Sequence, residues 1–396
     1  MNPTEHIRRW QDQLAEWRRD FHANPENGFE ERRTAALVAE RLSSWGIEVH
    51  GGVGRTGVVG TLRNGRGNRA VGLRADMDAL PMEEENGFAH RSAVPGRMHA
   101  CGHDGHTTML LGAARYLAET RRFDGTVHFI FQPAEEGGGG ARAMVADGLF
   151  SRFPCDAVYG IHNRPGLEVG RFGIRPGAMM AGCAFFDIRV EGKGGHGARP
   201  ENTVDPVVCG AQIVSALRTV VARNVAAADT AVVSVTGFDA GKAYNVIPER
   251  VALRGTARAF REETMRLVEA RMRALAENIA AGFGAAAALD FREVTIPVIN
   301  SAEQTAIFAD AAASLVGEEG VERDRPAVMG SEDFAYMLAE RPGAYIVTGN
   351  GVGEAGTEVH NPRYDFNDAA IPYGAGVLAA VAERELPPVA EAPPAP

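Results

Sequence analysis

Apolar and polar residues follow two different rhythms along the chain, and the rhythm changes near Cys183. Before that point, apolar positions recur at helical spacing within charged stretches. MNPTEHIRRWQDQLAEWRRDFH predicts a helix over 4–23, and ERRTAALVAERLSSWG predicts a second that stops at Gly46. Short runs that are apolar on both faces follow: GVVGTLR, AVGLRAD, TVHFIFQ (126–132) and AVYGIHN (157–163), with a helix at about 141–149 before the last. Strands of that kind suit a sheet buried under helices on both sides. The first part of the chain therefore reads as α/β, with a mainly parallel central sheet.

From Cys183 the pattern alternates. CAFFDIRVEG reads as a half-exposed strand, followed by a helix (204–222), the strands TAVVSVTGF and RVALRGTARAF, a helix (262–283) and the strand LDFREVTIPVI. The order β-α-β-β-α-β is that of the ferredoxin-like, split βαβ unit. The α/β rhythm then resumes with helices at 302–316 and 331–339, the strand GAYIVTGN and a helix at 369–385. The expected organisation is a main α/β domain in two parts (1–182 and 294–386), an inserted α+β domain at 183–293, and a disordered Pro- and Ala-rich tail at 387–396. No internal repeat is visible.

With 396 residues, 45% hydrophobic and 23% charged, the chain has room for two globular domains. Its formal net charge of -10 argues against nucleic acid or an anionic membrane as partner, since both call for a basic surface. No apolar run approaches a membrane span, and the charged amphipathic start is unlike a signal peptide. The four cysteines, at 101, 155, 183 and 209, form no framework, so reduced thiols and a cytoplasmic setting are expected.

Chemistry concentrates in MHACGHDGH (98–106), which holds Cys101, His99, His103, Asp104 and His106 in nine residues. Cys101 and His103 flank Gly102, whose backbone freedom permits a turn that aims both inward. A thiolate and an imidazole suit Zn²⁺ and similar divalent ions. Further donors stand where strands end: Asp76 and Asp78, Glu135 and Glu136, His162, and His360 in the loop beyond GAYIVTGN. In open α/β sheets, ligands gather outside the carboxyl ends of the strands. Of two adjacent carboxylates, one can bind metal while the other takes a proton from water. His99 and His106 are read as hydrogen-bonding residues and Asp104 as a helix cap or a support to a ligand. The glycines at 137–140 and GKGGHG lack the spacing of a phosphate loop.

Taken together, RADMDALP, MHACGHDGH, FQPAEEGGGGA, the His162 strand, GKGGHGARP, NVIP, GTARAF, GSEDF and HNPRYDFND resemble the M20 metallopeptidase family. The likeness is to its amidohydrolase branch, which includes hippurate hydrolases and N-acyl-amino-acid hydrolases, and it runs from about residue 10 to 385. The resemblance implies two divalent ions per subunit, Zn²⁺ or Mn²⁺ with Co²⁺ or Ni²⁺ as alternatives. Cys101 would bridge them, His103 and His162 would complete one site, and Glu136 and His360 the other. Glu135 would be the general base, and Asp78 would orient a ligand histidine. His196 would polarise the scissile carbonyl from the partner subunit, which makes the inserted domain a lid and dimerisation domain and the protein a homodimer or a dimer of dimers. Asn245 and Arg258 would hold the substrate.

The expected activity is hydrolysis of N-acyl amino acids, hippurate-like or N-acetylated, to a carboxylic acid and a free amino acid, by metal-activated water. The alternatives are a dipeptidase or carboxypeptidase, a specialised deacetylase or deaminase, a thiol amidase built on Cys101 and His103, and a metal-binding protein without activity. Arg164 and Glu201 stand where hippurate-type relatives often carry an aromatic residue and a histidine, which counts against carrying a hippurate-like aromatic preference over to this chain; an arginine there could favour an acidic or polar substrate.

Overall fold

A computed structural model describes residues 2–353 and 357–388. The tail expected to be disordered lies, from residue 389 on, outside the described residues. In chain order the first elements are α1 (Pro3–Arg8), α2 (Gln11–Ala23), α3 (Arg32–Ser44), β1 (Glu48–Val53), β2 (Gly57–Asn64), β3 (Ala70–Asp76), α4 (His103–Thr120), β4 (Gly125–Gln132), α5 (Gly140–Ala146), α6 (Leu149–Arg152), β5 (Ala157–Pro165), β6 (Phe172–Gly173) and β7 (Gly177–Met180). Next come β8 (Gly182–Glu191), β9 (Gly195–His196), α7 (Pro206–Asn224), β10 (Ala231–Asp239), β11 (Val246–Ile247), β12 (Arg250–Ala259), α8 (Glu262–Gly282) and β13 (Ala286–Thr295). The last are β14 (Val298–Asn300), α9 (Ala302–Val316), β15 (Val321–Glu322), α10 (Ala335–Glu340), β16 (Gly343–Gly351) and α11 (Ile371–Glu385).

The chain divides into two units. One takes in the chain up to Met179, Ile299–Pro326 and the residues from Asp333 on; the other is Met180–Val298 with Ala327–Glu332. The second unit is wider than the expected 183–293 and includes a segment that no local pattern announced. That segment is fastened within the unit by Arg258, which donates to the carbonyl of Met329 at 2.9 Å.

The first unit is built on one eight-stranded sheet, in the order β1-β2-β4-β3-β5-β16-β6-β15. Its centre, β4-β3-β5-β16, is parallel throughout, while β1, β2 and β6 bring in antiparallel pairs. Every residue of β4 and of β16 is buried, so both faces of the sheet are covered. Helix α4 packs against β3, α2 and α11 and is itself mostly buried. It carries MHACGHDGH into the core at its N-terminal end.

Several local readings differ from the structure. The strand expected over LDFREVTIPVI is two, β13 and β14, in different sheets, and the helix expected at 141–149 is two, α5 and α6. The expected helix over 4–23 is two helices, broken at Arg9–Trp10 without Gly or Pro. Trp10 is turned edge-on to His6, 5.1 Å between ring centroids, and the Arg115 guanidinium lies 4.0 Å from its ring, so tertiary contacts hold the break. The helix expected over 331–339 begins only at Ala335, because the Asp333 carboxylate is used by β4 and α5: it accepts from Gln132 at 2.6 Å and from the Ala141 N–H at 2.9 Å. Strand β1 had no clear apolar alternation and was not expected; it exists as the antiparallel partner of β2.

In the second unit, four strands form an antiparallel sheet in the order β10-β12-β8-β13. The alternation in CAFFDIRVE buries Ala184, Phe186, Ile188 and Val190 and leaves Phe185 exposed. The buried set joins Cys209, Ile213 and Leu217 of α7 and Val268, Met272 and Ala276 of α8 in one core. Among the described residues no helix is long and apolar enough to cross a membrane.

Candidate metal centre

Strand register brings the donors to one rim. In the parallel pair β3/β4, Asp76 stands opposite Gln132; in β3/β5, Arg74 stands opposite Gly160, which levels Asp76 with His162. The chain leaving β3 carries Asp78, the chain leaving β4 carries Glu135 and Glu136, and the loop after β16 brings His360 back. The backbone N–H of His360 donates to the Ala100 carbonyl at 2.7 Å, beside Cys101.

Five of the expected ligands fall into two triads that share one sulfur. Atoms of Cys101, His103 and His162 lie within 4.8 Å of one another, and so do atoms of Cys101, Glu136 and His360. A further triad joins His103, Glu136 and Glu135. Cys101 Sγ is 3.3 Å from His162 Nε2, and His360 Nε2 is 3.2 Å from Glu136 Oε1.

The histidines are held in the sense a ligand requires. His162 Nδ1 is 2.6 Å from the Asn163 carbonyl and donates to it, leaving Nε2 toward the sulfur. His103 Nδ1 faces Asp78 Oδ1 at 3.3 Å, and its buried Nε2 has no hydrogen-bond partner among the described residues. Buried polar atoms are normally satisfied. An orphaned imidazole nitrogen among sulfur and carboxylate donors is what a divalent cation would satisfy, so the residues fit such an ion.

The field at the centre is negative. Burial and then the carboxylates of Glu136, Glu135 and Asp76 push the Cys101 thiol well above its ordinary pKa. A reactive cysteine needs an electropositive setting, so these surroundings speak against a thiol nucleophile and for a thiol ionised by a cation. Burial opposes a charged His103, but Asp76, Asp78 and Glu136 outweigh it and raise its pKa to about 10. These carboxylates favour positive charge at His103. Burial, and then His106, keep His162 neutral by holding its pKa well down.

Asp78 supports three donors with one carboxylate. Oδ1 accepts from the Glu135 N–H at 2.9 Å and faces His103, while Oδ2 accepts from the Glu136 N–H at 2.9 Å. Ala134, just before the pair, adopts φ +50°, a left-handed conformation that costs a non-glycine residue energy. The buried Glu31 holds it there by accepting the Ala134 N–H at 2.8 Å. The Asp333 N–H lies 3.4 Å from Glu135 Oε1. Neither Glu31 nor Asp333 had been singled out by residue: Asp333 lies within the GSEDF motif, and no local signal marks Glu31.

Asp104 does not cap α4: the helix starts after Gly102 without a side-chain cap. Its carboxylate instead meets His22 at 2.8 Å and Arg18 at 3.5 Å in a buried ion cluster. His106 bonds Asp76 at 2.7 Å, and both ring nitrogens of the buried His99 lack a partner among the described residues.

His196, Asn245 and Arg258 lie in the second unit. His196 is exposed on β9, paired with Val246, and its Nδ1 accepts the Ala198 N–H at 3.1 Å. That bond puts the proton on Nε2 of the neutral ring and makes Nε2 a donor. Asn245 is exposed, and its carbonyl accepts from the Gly197 N–H at 2.8 Å, tying it to the His196 loop. Arg258 is half-buried and bonded to the Met329 carbonyl.

A parallel rim with these donors and a spare carboxylate defines a metal-dependent hydrolase. The chain belongs to peptidase family M20/M25/M40, whose pattern matches residues 72–384. It is 40% identical over 98% of its length to the hippurate hydrolase of Campylobacter jejuni, covering all of that protein. It is 37% identical to an N-acetylcysteine deacetylase of Bacillus subtilis, over 90% of this chain and 93% of that one. A solved Bacillus subtilis structure, described as a dinuclear metal binding peptidase from the M20 family, superposes with a TM-score of 0.83 at 33% identity, over 95% of this chain and 98% of the other. As a member of this family the protein is a hydrolase of amide bonds that works with divalent metal.

Proposed function

We propose that the protein hydrolyses N-acyl amino acids, releasing a carboxylic acid and the free amino acid. The observation that carries this is the pair of triads sharing Cys101, with Glu135 beside them. The names of the relatives, hippurate hydrolase and N-acetylcysteine deacetylase, support an N-acyl amino acid as substrate. In this reading Cys101, His103 and His162 hold one ion, and Cys101, Glu136 and His360 the other. Bound there, divalent ions such as Zn²⁺ or Mn²⁺ would supply Lewis acidity toward water and toward a carbonyl oxygen.

The chain's own groups do the rest. Glu135, aimed by Asp78 and Glu31, accepts a proton from the attacking water and delivers it to the departing amine nitrogen. Asp78 keeps His103 turned with Nε2 inward. The partner subunit's His196 donates from Nε2 to the carbonyl oxygen as negative charge develops there. Asn245 and Arg258 hold the substrate, and the second unit serves as lid and dimerisation domain of a cytoplasmic homodimer.

The test is amino-acid release from a panel of N-acyl amino acids and dipeptides, before chelation, after it, and after metal is returned. The expected result is loss and recovery on N-acyl amino acids. Activity that survives verified metal removal would refute the metal reading, and a ranking led by dipeptides would move the assignment to a dipeptidase.

A further inference from the structure

Behind the donors runs a chain of buried side chains, none of them in the ligand set. Asp76 Oδ1 accepts from His106 Nδ1 at 2.7 Å. His106 Nε2 accepts the backbone N–H of Asn163 at 2.9 Å. The Asn163 side chain then reaches two ways: Nδ2 donates to the carbonyl of Cys101 at 2.6 Å, and Oδ1 accepts from the Tyr364 hydroxyl at 2.8 Å. Asp76, His106, Asn163 and Tyr364 are all at most 1% exposed.

Every link borders a donor. Asn163 follows His162, Tyr364 lies four residues beyond His360, and His106 lies one turn beyond His103 on α4. The grip on Cys101 works through a backbone that only glycine allows. Gly102 has φ +94°, and a Cβ there would fall 2.4 Å from Asn163 Nδ2 and 2.6 Å from the Tyr364 hydroxyl. The turn that aims the thiol is thus pressed against the amide that bonds to it and against the phenol that bonds to that amide.

We propose that Asn163, seated by Tyr364 and by the Asp76–His106 pair, is a positioning residue that sets the direction of Cys101 Sγ so that one sulfur serves both triads. This rests on the reading of Cys101 as a metal ligand. Without the amide the Cys101 carbonyl loses a buried donor and the 101–103 turn relaxes, so the sulfur loses its fixed aim. Tyr364 acts one step back, by holding the amide with its oxygen toward the phenol and its NH₂ toward Cys101.

The test uses the full-length protein, stripped of metal and titrated with Co²⁺. Dissociation constants come from chelator competition, and sulfur coordination from the near-ultraviolet sulfur-to-cobalt charge-transfer absorption. Asn163→Ala should raise the dissociation constant about 10–100-fold, the usual effect of losing a group that orients a ligand, and should weaken or shift the absorption. Tyr364→Phe keeps the ring and removes only the hydroxyl, so it guards against a fold defect; it should shift the absorption in the same sense with a smaller loss of affinity. Variants that match the wild type in both readouts overturn the proposal. Affinity lost with an unchanged absorption also overturns it, since a general loosening changes how much metal is held and not how sulfur meets it. A wild type with no sulfur absorption refutes the metal reading itself, and the proposal falls with it.

Discussion

Arg18→Met isolates the ion cluster behind the 98–106 loop. The Arg18 side chain is 1% exposed; its Nε donates to Asp368 at 2.7 Å, its Nη1 to Asp365 at 2.9 Å, and Nη1 lies 3.5 Å from Asp104. Hydrogen bonds between charged groups contribute about 1.5–3 kcal/mol each. The Asp365 contribution is discounted, because that carboxylate is 36% exposed and water can replace the arginine. Asp104 is fully buried but keeps His22 at 2.8 Å, so it is weakened and not orphaned. The expected loss is therefore about 3 kcal/mol, the low end of the range for removing one member of a buried ion pair. The three tryptophans, Trp10, Trp17 and Trp45, all lie in the first unit, so tryptophan fluorescence in a urea titration follows the unit that contains the cluster. Comparison at fixed metal content, with the slope of the transition checked, yields the difference. A loss under about 1 kcal/mol with an unchanged slope would show that the cluster does not hold the unit together as argued.

Glu135→Gln keeps the shape of the side chain and removes its basicity; kcat should fall by about 10²–10⁴-fold while bound metal, counted by elemental analysis, stays at the wild-type level. Full activity in that variant would take the base role from Glu135. Burial disfavours a charged His22, but hydrogen bonds to Asp104 and Glu84 raise its pKa to about 9. A raised folded-state pKa contributes stability that is complete below the unfolded value near 6.5 and disappears as pH climbs through 9. The stability gap between wild type and His22→Gln should accordingly shrink by about 3 kcal/mol from pH 6 to pH 10, and a gap that stays level across that window would refute the assignment.

Elements with strong local rhythm were legible. The helix expected over 302–316 is α9, residue for residue, and the doubly apolar runs are strands of the first unit's sheet, AVGLRAD, TVHFIFQ and AVYGIHN parallel and GVVGTLR antiparallel to its neighbours. The donor types at the rim were legible too, because Cys, His and paired Glu at strand ends are rare enough to carry meaning alone. What escaped was non-local. Glu31 acts on Ala134 from 103 residues away, Tyr364 on Asn163 from 201, and Arg18 on Asp368 from 350. The break at Trp10 and the late start of α10 escaped for the same reason: each is imposed by distant side chains acting on a segment whose own pattern allows a helix.

By itself, then, the sequence determined most of the helices and the long strands, and which residues carry sulfur, imidazole and carboxylate. Side-chain periodicity and residue chemistry are local properties, and a single chain displays both. Only the tertiary structure decided that β4, β3, β5 and β16 lie side by side in that order, so that Asp76, His162 and the Glu135–Glu136 loop share one rim. It also decided which nitrogen of each histidine faces the centre, since that depends on the acceptor the other nitrogen meets: Asp78 for His103, the Asn163 carbonyl for His162. Strand order and hydrogen-bond partners arise from contacts between residues far apart in the chain, and no local pattern encodes them.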